Sequence, residues 1–478
     1  MQAVDMSARR TGSWSMVPAG ASASRERIVV IGAGMAGLVA GRLLHDSGCA
    51  VTLLESRARI GGRVCPDMSL GVPIDLGGSW IHGADDNPLT DWCAALGVEV
   101  VQTAGERRLM ENGVARDLAI VQRRAWRGRL AFAMAVRLGL WRSRWRAARG
   151  RHRTVSLADV AEPILRASWL PALDRSVVAQ LVSTGEGVQG APADRLAIEE
   201  WFPNDAFGVN AMPRDGFATL LQDAAQGLDV RLETPVQRLR WHEGGVVTET
   251  AAGSVAADRA VVTLPVGLLR DGALAFDPPL PSEQRAAIAR IGYGAGVLGK
   301  IYLRFDQPFW PRDIHRFLGL PAAPDQRGVF NTWLSLERET GAPVLLSFAN
   351  GRAALRFETE CSDAQVLDEA MAALRRLFGS VPEPVAFRFT RWLADPWSAG
   401  SYSYPALGSL PDDRLVYARP LGDRVFFAGE ATESGDYGTV QAALRSGERA
   451  AETVFRCVTG LAPAREARPW RFRTVRTA

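Results

Sequence analysis

The chain has one lysine. Of its 56 basic residues, 55 are arginines and the remaining one is Lys300. Either cation keeps a solvated surface charged, so compositional drift can turn most lysines into arginines. A position that keeps lysine needs what guanidinium lacks, a compact amine able to lose its proton. Lys300 lies in Gly299-Lys300-Ile301-Tyr302-Leu303, after a glycine cluster and inside an apolar run, which reads as a strand aiming one amine into a polar pocket. The plain alternative is chance survival on an exposed strand.

A second constellation carries phosphate chemistry. The β-branched run 28–31 is followed at once by Gly32-Ala33-Gly34-Met35-Ala36-Gly37, then by helical character over 38–46 and a strand over 51–54 that ends in Glu55. This is the context that a GxGxxG match requires. Gly32 permits the tight turn, Gly34 lets backbone approach a pyrophosphate, and Gly37 lets helix pack on strand. The helix N-terminus offers free N–H groups to phosphate, and Glu55 can accept from an adenosine ribose. A second glycine pair with an arginine, Gly61-Gly62-Arg63, suits another backbone approach to phosphate, with Arg63 donating. Near the other end, 425–427 reads as a buried strand leading through Ala428 into Gly429 and Glu430, and 439–451 as a helix whose N-terminus points at the same ligand.

These residues need a large scaffold, and 478 residues supply two domains. Hydrophobic content of 47% with 23% charge is ordinary for a globular protein. A formal charge of +4 gives no whole-molecule field for nucleic acid, so no DNA partner is expected. Five scattered cysteines without CxxC spacing fit a reducing, cytoplasmic setting and argue against a metal site. No apolar stretch reaches the ~18 residues of a membrane span. Arg9-Arg10 lacks a following apolar region, so an export signal is rejected. Residues 1–24 and 463–478 are expected to be flexible tails.

The motifs now carry a resemblance. Glu55 to Arg63 is similar to the ExxxRxGGR element of FAD-binding amine oxidases and their desaturase relatives, and Asp75-Leu76-Gly77-Gly78-Ser79-Trp80 resembles their next element, where backbone passes the flavin ring. The run from Phe426 through Glu430 and Thr439 to Ala451 resembles the polyamine oxidase and lysine-specific histone demethylase branch. So does 391–404, RWLADPWSAGSYSY, with Trp392 and Trp397 in its aromatic part; read as bare sequence, that loop is equally core packing plus a turn.

The resemblance implies an α/β, two-domain flavoprotein, with a Rossmann-like FAD-binding domain and a substrate domain of mixed sheet and helical cover. The expected division is 25–105, 212–292 and 396–462 for FAD, and 106–211 and 293–395 for substrate. It implies FAD contacts from Gly32, Gly34, Gly37, Glu55, Arg63, Gly77, Gly78, Ser79, Val236, Trp392, Trp397, Gly429, Glu430, Thr439 and Val440. Tyr402 would wall the substrate channel, Lys300 would hold a water against flavin N5, and His82 would lie by the substrate, or else be a satisfied loop histidine. Ser401 stands where monoamine oxidases carry the cysteine that attaches FAD, so FAD is expected without a covalent link. Thr439 replaces a second wall tyrosine, leaving an incomplete aromatic cage that Tyr437 could partly complete.

The implied reaction is hydride transfer from an amine α-carbon to flavin N5, giving an imine that hydrolyses to a carbonyl compound and an amine or ammonia, with dioxygen reduced to hydrogen peroxide. A polyamine or related amine is the leading substrate, anchored by an acid such as Asp85, Asp86 or Glu186. The alternatives are an L-amino-acid oxidase and, from another class, a flavin-stabilised interaction protein. The last would act through 121–153, which holds eleven arginines, no acid, and Trp126, Trp141 and Trp145. That segment reads as a basic amphipathic helix or helix pair. The expected role is a solvated arginine-rich face, with an anionic surface, an acidic partner or nucleic acid as alternatives.

Overall fold

The computed structural model describes residues 26–460 apart from 104, 151–153, 201–207, 295–296 and 322; the expected tails and Arg9-Arg10 lie outside the described residues. A five-stranded sheet, all of its pairs parallel, has the order 425–427, 259–262, 27–31, 50–54, 229–231. Its central strand, Arg27–Ile31, is β-branched and buried on both faces, as a parallel interior strand must be. Register sets the site. Ile31 pairs with both Leu54 and Val262, and Val262 pairs with Phe427. Gly32, Glu55, Thr263 and Ala428 therefore all leave the sheet at one level, at the carboxyl ends where open α/β sheets bind ligands.

Two helices cover this sheet. Met35–Asp46 buries Leu38, Val39, Leu43 and Leu44 completely, each worth roughly 1.5–3 kcal/mol on transfer from water. Val440–Thr459 crosses it, burying Leu444, Val454 and Phe455. The approach is tight: a Cβ on Gly447 would fall 2.4 Å from the Ala36 carbonyl oxygen. A small residue at 447 thus decides how closely the C-terminal helix reaches the N-terminal glycine turn.

The second large sheet has seven strands in the order 386–389, 299–304, 344–349, 329–335, 314–318, 106–111, 114–116, with one parallel pair among antiparallel ones. It is the mixed sheet that the sequence implied, and Lys300 lies on its strand Gly299–Arg304. Helices Leu118–Arg124, Trp126–Ala147, Leu157–Leu165 and Ala172–Gln189 form the helical cover. The basic segment is thus a helix pair. Its long helix turns inward at Gly128, Phe132, Gly139 and Ser143 and leaves Leu130, Met134 and Leu138 outside. Small residues select that face: a Cβ at 128 or 139 would fall 2.8 Å from the Asp174 carbonyl or 2.7 Å from Val160. The face is therefore not only the solvated arginine surface that composition suggested.

Gly37 has no room for a side chain. A Cβ there would lie 2.0 Å from the carbonyl oxygen of Gly32, which itself sits at φ +103°. Gly37→Ala is expected to cost about 1–3 kcal/mol in unfolding free energy and to lower the flavin-to-protein absorbance ratio of the purified chain. Unchanged Tm and cofactor content would show that the turn tolerates a side chain.

Candidate active site

The strand Gly299–Arg304 is locked to the aromatic loop at its lysine. The Lys300 amide donates to Thr390 Oγ1 at 2.9 Å, and the Thr390 amide returns a bond to the Lys300 carbonyl at 3.0 Å. The side chain is buried, with 4% exposure. Its Nζ donates to the Gly77 carbonyl and Ser79 Oγ, both at 2.5 Å, and to the Asp75 carbonyl at 3.2 Å, with the Trp80 ring 5.1 Å away. The sole lysine thus reaches the Asp75–Trp80 loop. Ser79, expected on the cofactor, here accepts from the lysine and donates to the Asp75 carbonyl at 2.9 Å.

Asp75 is the residue that motif reading quoted without giving it a role. Its carboxyl is buried, and no hydrogen bond of ordinary geometry reaches either oxygen, although the Phe217 amide leans toward it. Burial pushes this carboxyl up to about 7 against the pull of Lys300. Burial likewise pushes the Lys300 ammonium down to about 7 against the pull of Asp75. An amine so placed loses its proton near neutrality, which an arginine could not do.

Glu430 ties the cofactor pieces together. Its carboxylate accepts from Arg63 at 2.7 Å, from Ser403 Oγ at 2.6 Å and from the Gly438 amide at 2.9 Å. Burial alone would raise this carboxyl, but Arg63 and Arg414 outweigh it and hold it below the usual carboxylate range. Arg414 reaches Ser403 Oγ at 2.7 Å and lies 3.9 Å over the Tyr437 ring. Neither Arg414 nor Ser403 stands out from sequence; an arginine ten residues beyond the aromatic loop gives no local signal.

The glycine elements meet these groups. A Cβ on Gly77 would fall 1.7 Å from the Arg63 carbonyl and 3.2 Å from the Trp392 ring, and one on Gly78 would fall 2.5 Å from Val440. The Trp392 indole donates to the Leu76 carbonyl at 3.2 Å. Glu358 organises the aromatic loop, accepting from the amides of Trp392 at 2.9 Å and Leu393 at 3.1 Å. The amide of half-buried Trp397 donates to Asp395, which also receives Arg57. Glu55 accepts from the Ala33 amide at 2.8 Å and the Arg57 amide at 2.9 Å, and the Thr234 amide brings Val236 beside it.

The substrate-side residues are also placed. Tyr402 donates its hydroxyl to the Gly187 carbonyl at 2.8 Å and packs its ring against Gly190 and Gly438. Ser401 Oγ accepts from the Leu298 amide. His82 faces Asn210 at 3.0 Å, and burial lowers its pKa, which favours neutral imidazole. Thr439 is the N-cap of Val440–Thr459, accepting from the Ala442 amide, so its hydroxyl is committed to the helix end. A threonine just before a helical run is the signal that could have shown this. Tyr437 donates to Gln189 at 3.4 Å. Of the candidate acids, Asp85 and Asp86 are exposed, and Glu186 pairs with Arg327.

A family model described as flavin containing amine oxidoreductase matches residues 35–455. The chain belongs to that family. It is 33% identical over 454 residues to polyamine oxidase 4 of Oryza sativa subsp. japonica, covering 90% of this chain and 88% of that one. It is also 33% identical over 446 residues to lysine-specific histone demethylase 2 of Homo sapiens, covering 89% of this chain but only 53% of that protein. Wild-type putrescine oxidase bound to putrescine shares the fold, at TM-score 0.70 and 22% identity over 90% of this chain and 99% of that one.

As a flavin-containing amine oxidoreductase, the chain is an enzyme acting on amines, with FAD as its cofactor. The site fits that group. The helix Met35–Asp46 starts at Gly34 with no side-chain cap, leaving first-turn N–H donors for phosphate. Bare glycine backbone at Gly34, Gly61 and Gly62 lines the same place, and beyond the Gly429 Cα only the Thr263 carbonyl comes within 4.0 Å.

Two outcomes follow from this geometry. Glu430→Gln leaves half-buried Arg63 without its carboxylate, so a loss of roughly 1–3 kcal/mol and weaker flavin retention are expected, read by denaturant titration and absorbance. Separately, between about 7 and the ordinary 10.5 the unfolded chain holds a proton that folded Lys300 has lost, so this group adds stability as pH rises through that window. Lys300→Met should abolish that rise. Parallel Tm-against-pH curves for the two proteins would refute the depressed lysine.

Proposed function

We propose that this enzyme oxidises a polyamine or a related alkyl amine, with dioxygen as electron acceptor and hydrogen peroxide as product. The observation that carries the reading is the buried lone lysine, held against the Asp75–Trp80 loop beside a tyrosine-walled aromatic loop. The seven-stranded sheet and its helical cover form the substrate side, and the five-stranded parallel sheet forms the cofactor side.

When bound, the flavin supplies the acceptor for a hydride leaving the amine α-carbon. The chain's own residues do the rest. Gly34, Gly61 and Gly62 would give the pyrophosphate close backbone contact, Glu55 and the Val236 backbone would receive the adenosine end, and Arg63, held by Glu430, and the Val440 amide would receive the phosphate and ring edge. Ser401 offers no thiol, so FAD is held without a covalent bond. Tyr402, fixed through Gly187, forms one wall of the amine channel, and Trp80 adds a second aromatic surface. Lys300, whose proton affinity burial lowers toward neutrality, holds and orients a water that hydrolyses the imine or serves dioxygen reduction. The neutral His82 lies next to the helix that Thr439 caps, on the substrate side.

The test is peroxide release by the yellow protein against polyamines, monoamines, L-amino acids and an N-methyl-lysine peptide. Peroxide with polyamines, reduced roughly a hundredfold or more in Lys300→Met at equal flavin content, is the expected result. Peroxide only with L-amino acids or the methylated peptide would move the substrate class. Silence across the panel with flavin bound would overturn the oxidase reading.

A further inference from the structure

The helix Trp126–Ala147 shows two chemistries on its outer side. Trp126, Leu130, Met134, Leu138, Trp141 and Trp145 are each 50% exposed or more. They follow at steps of four, four, four, three and four residues, so they form one stripe along the helix, roughly 28 Å long. Six of the fifteen large exposed apolar side chains among the described residues lie on this one element, so the stripe is a concentration and not scatter. Arginines share that side. Arg127, Arg129, Arg137, Arg142 and Arg144 are exposed, and the chain has no acid anywhere from 118 to 158. Arg127 lies 5.6 Å over the Trp126 ring and Arg149 lies 3.6 Å over Trp145.

The opposite side is fully occupied. Gly128 donates its amide to Asp174 at 2.6 Å, and Phe132 and Gly139 pack into the helical core. The helix is therefore fixed to the protein by one face and presents the other outward. It is too charged to cross a bilayer, and no helix among the described residues is long and apolar enough to do so.

We propose that this outer face docks the enzyme, lying flat, on an anionic lipid surface. Indoles near both ends with leucine and methionine between them suit the headgroup boundary, where an amphipathic ring has one apolar and one wet side. Arginine stems can lie along the apolar stripe while their guanidinium groups reach lipid phosphates. A second copy of the chain is a poorer occupant. A two-fold pairing of this face would set one row of arginines against the other, which an anionic surface converts from repulsion into attraction. The docked helix packs on Ala172–Gln189, whose last turn supplies the Gly187 carbonyl to Tyr402, so the membrane face lies one helix behind the substrate wall.

The experiment is co-sedimentation of the flavin-loaded enzyme with vesicles of phosphatidylcholine alone and of phosphatidylcholine mixed with phosphatidylglycerol. Binding is expected to the mixed vesicles only, to weaken with salt, and to blue-shift tryptophan emission. Leu138→Ser combined with Trp141→Ser, and separately Arg127→Glu combined with Arg137→Glu and Arg144→Glu, should each weaken it about tenfold or more. None of these residues touches the cofactor or substrate groups, so flavin content and turnover of a soluble amine should be unchanged, which separates lost docking from lost folding. Equal pelleting with both vesicle types, no pelleting with either, or a wild-type dimer that the serine variant converts to monomer would each overturn the proposal. Failure here leaves the amine reading untouched, because turnover is read independently.

Discussion

The interaction on which the site depends is the part-buried contact between Arg63 and Glu430, side chains separated by 367 positions in the chain. One follows the second glycine pair and the other follows the last strand of the parallel sheet. Their bond closes the chain on itself and brings the Gly438 amide and Ser403 to one carboxylate, with Arg414 donating to Ser403 behind it. A buried carboxylate with several donors is stable only while all of them are in place. The first and last parts of the chain are therefore obliged to form the cofactor cradle together.

Close backbone approach is the second constraint, and it transmits the first. Helix Val440–Thr459 can aim its N-terminus at the cradle because Gly447 lets it cross Ala36 without a side chain between them. The loop through Gly77 and Gly78 can pass between Arg63, Trp392 and Val440 for the same reason. Lys300 then reads the position of that loop, since two of its three acceptors are backbone carbonyls, of Asp75 and Gly77. The buried lysine and the cofactor cradle are thus coupled through a few atoms of main chain, so a shift in one is felt by the other.

Helical packing behind Tyr402 obeys a similar rule. Gly128 and Gly139 turn inward because only small residues fit against Asp174 and Val160, and Leu130, Met134 and Leu138 are left on the outside while Phe132 packs inward. A composition rich in arginine, leucine and tryptophan does not reveal this, because the usual expectation places the large apolar residues inward.

The cofactor half was legible because its chemistry is local. The glycine turn, the strand before it and Glu55 lie within 28 residues, and backbone conformation at Gly32 and close approach at Gly37 dictate residue type directly. The lone lysine was legible because composition made it an exception. Other features belong to pairs that the sequence separates: Asp75 with Lys300, Arg414 with Ser403 and Glu430, Glu358 with the amides of the aromatic loop. Thr439 shows the same division, since its type was read as a missing wall residue while its hydroxyl is bonded within the helix cap. Sequence alone determined the cofactor class, the family motifs and the position of the one lysine, since each depends on residue type at short spacing. Tertiary structure decided the partners of that amine, its depressed proton affinity and the outward face of the arginine-rich helix, because burial and long-range pairing exist only after the chain has closed.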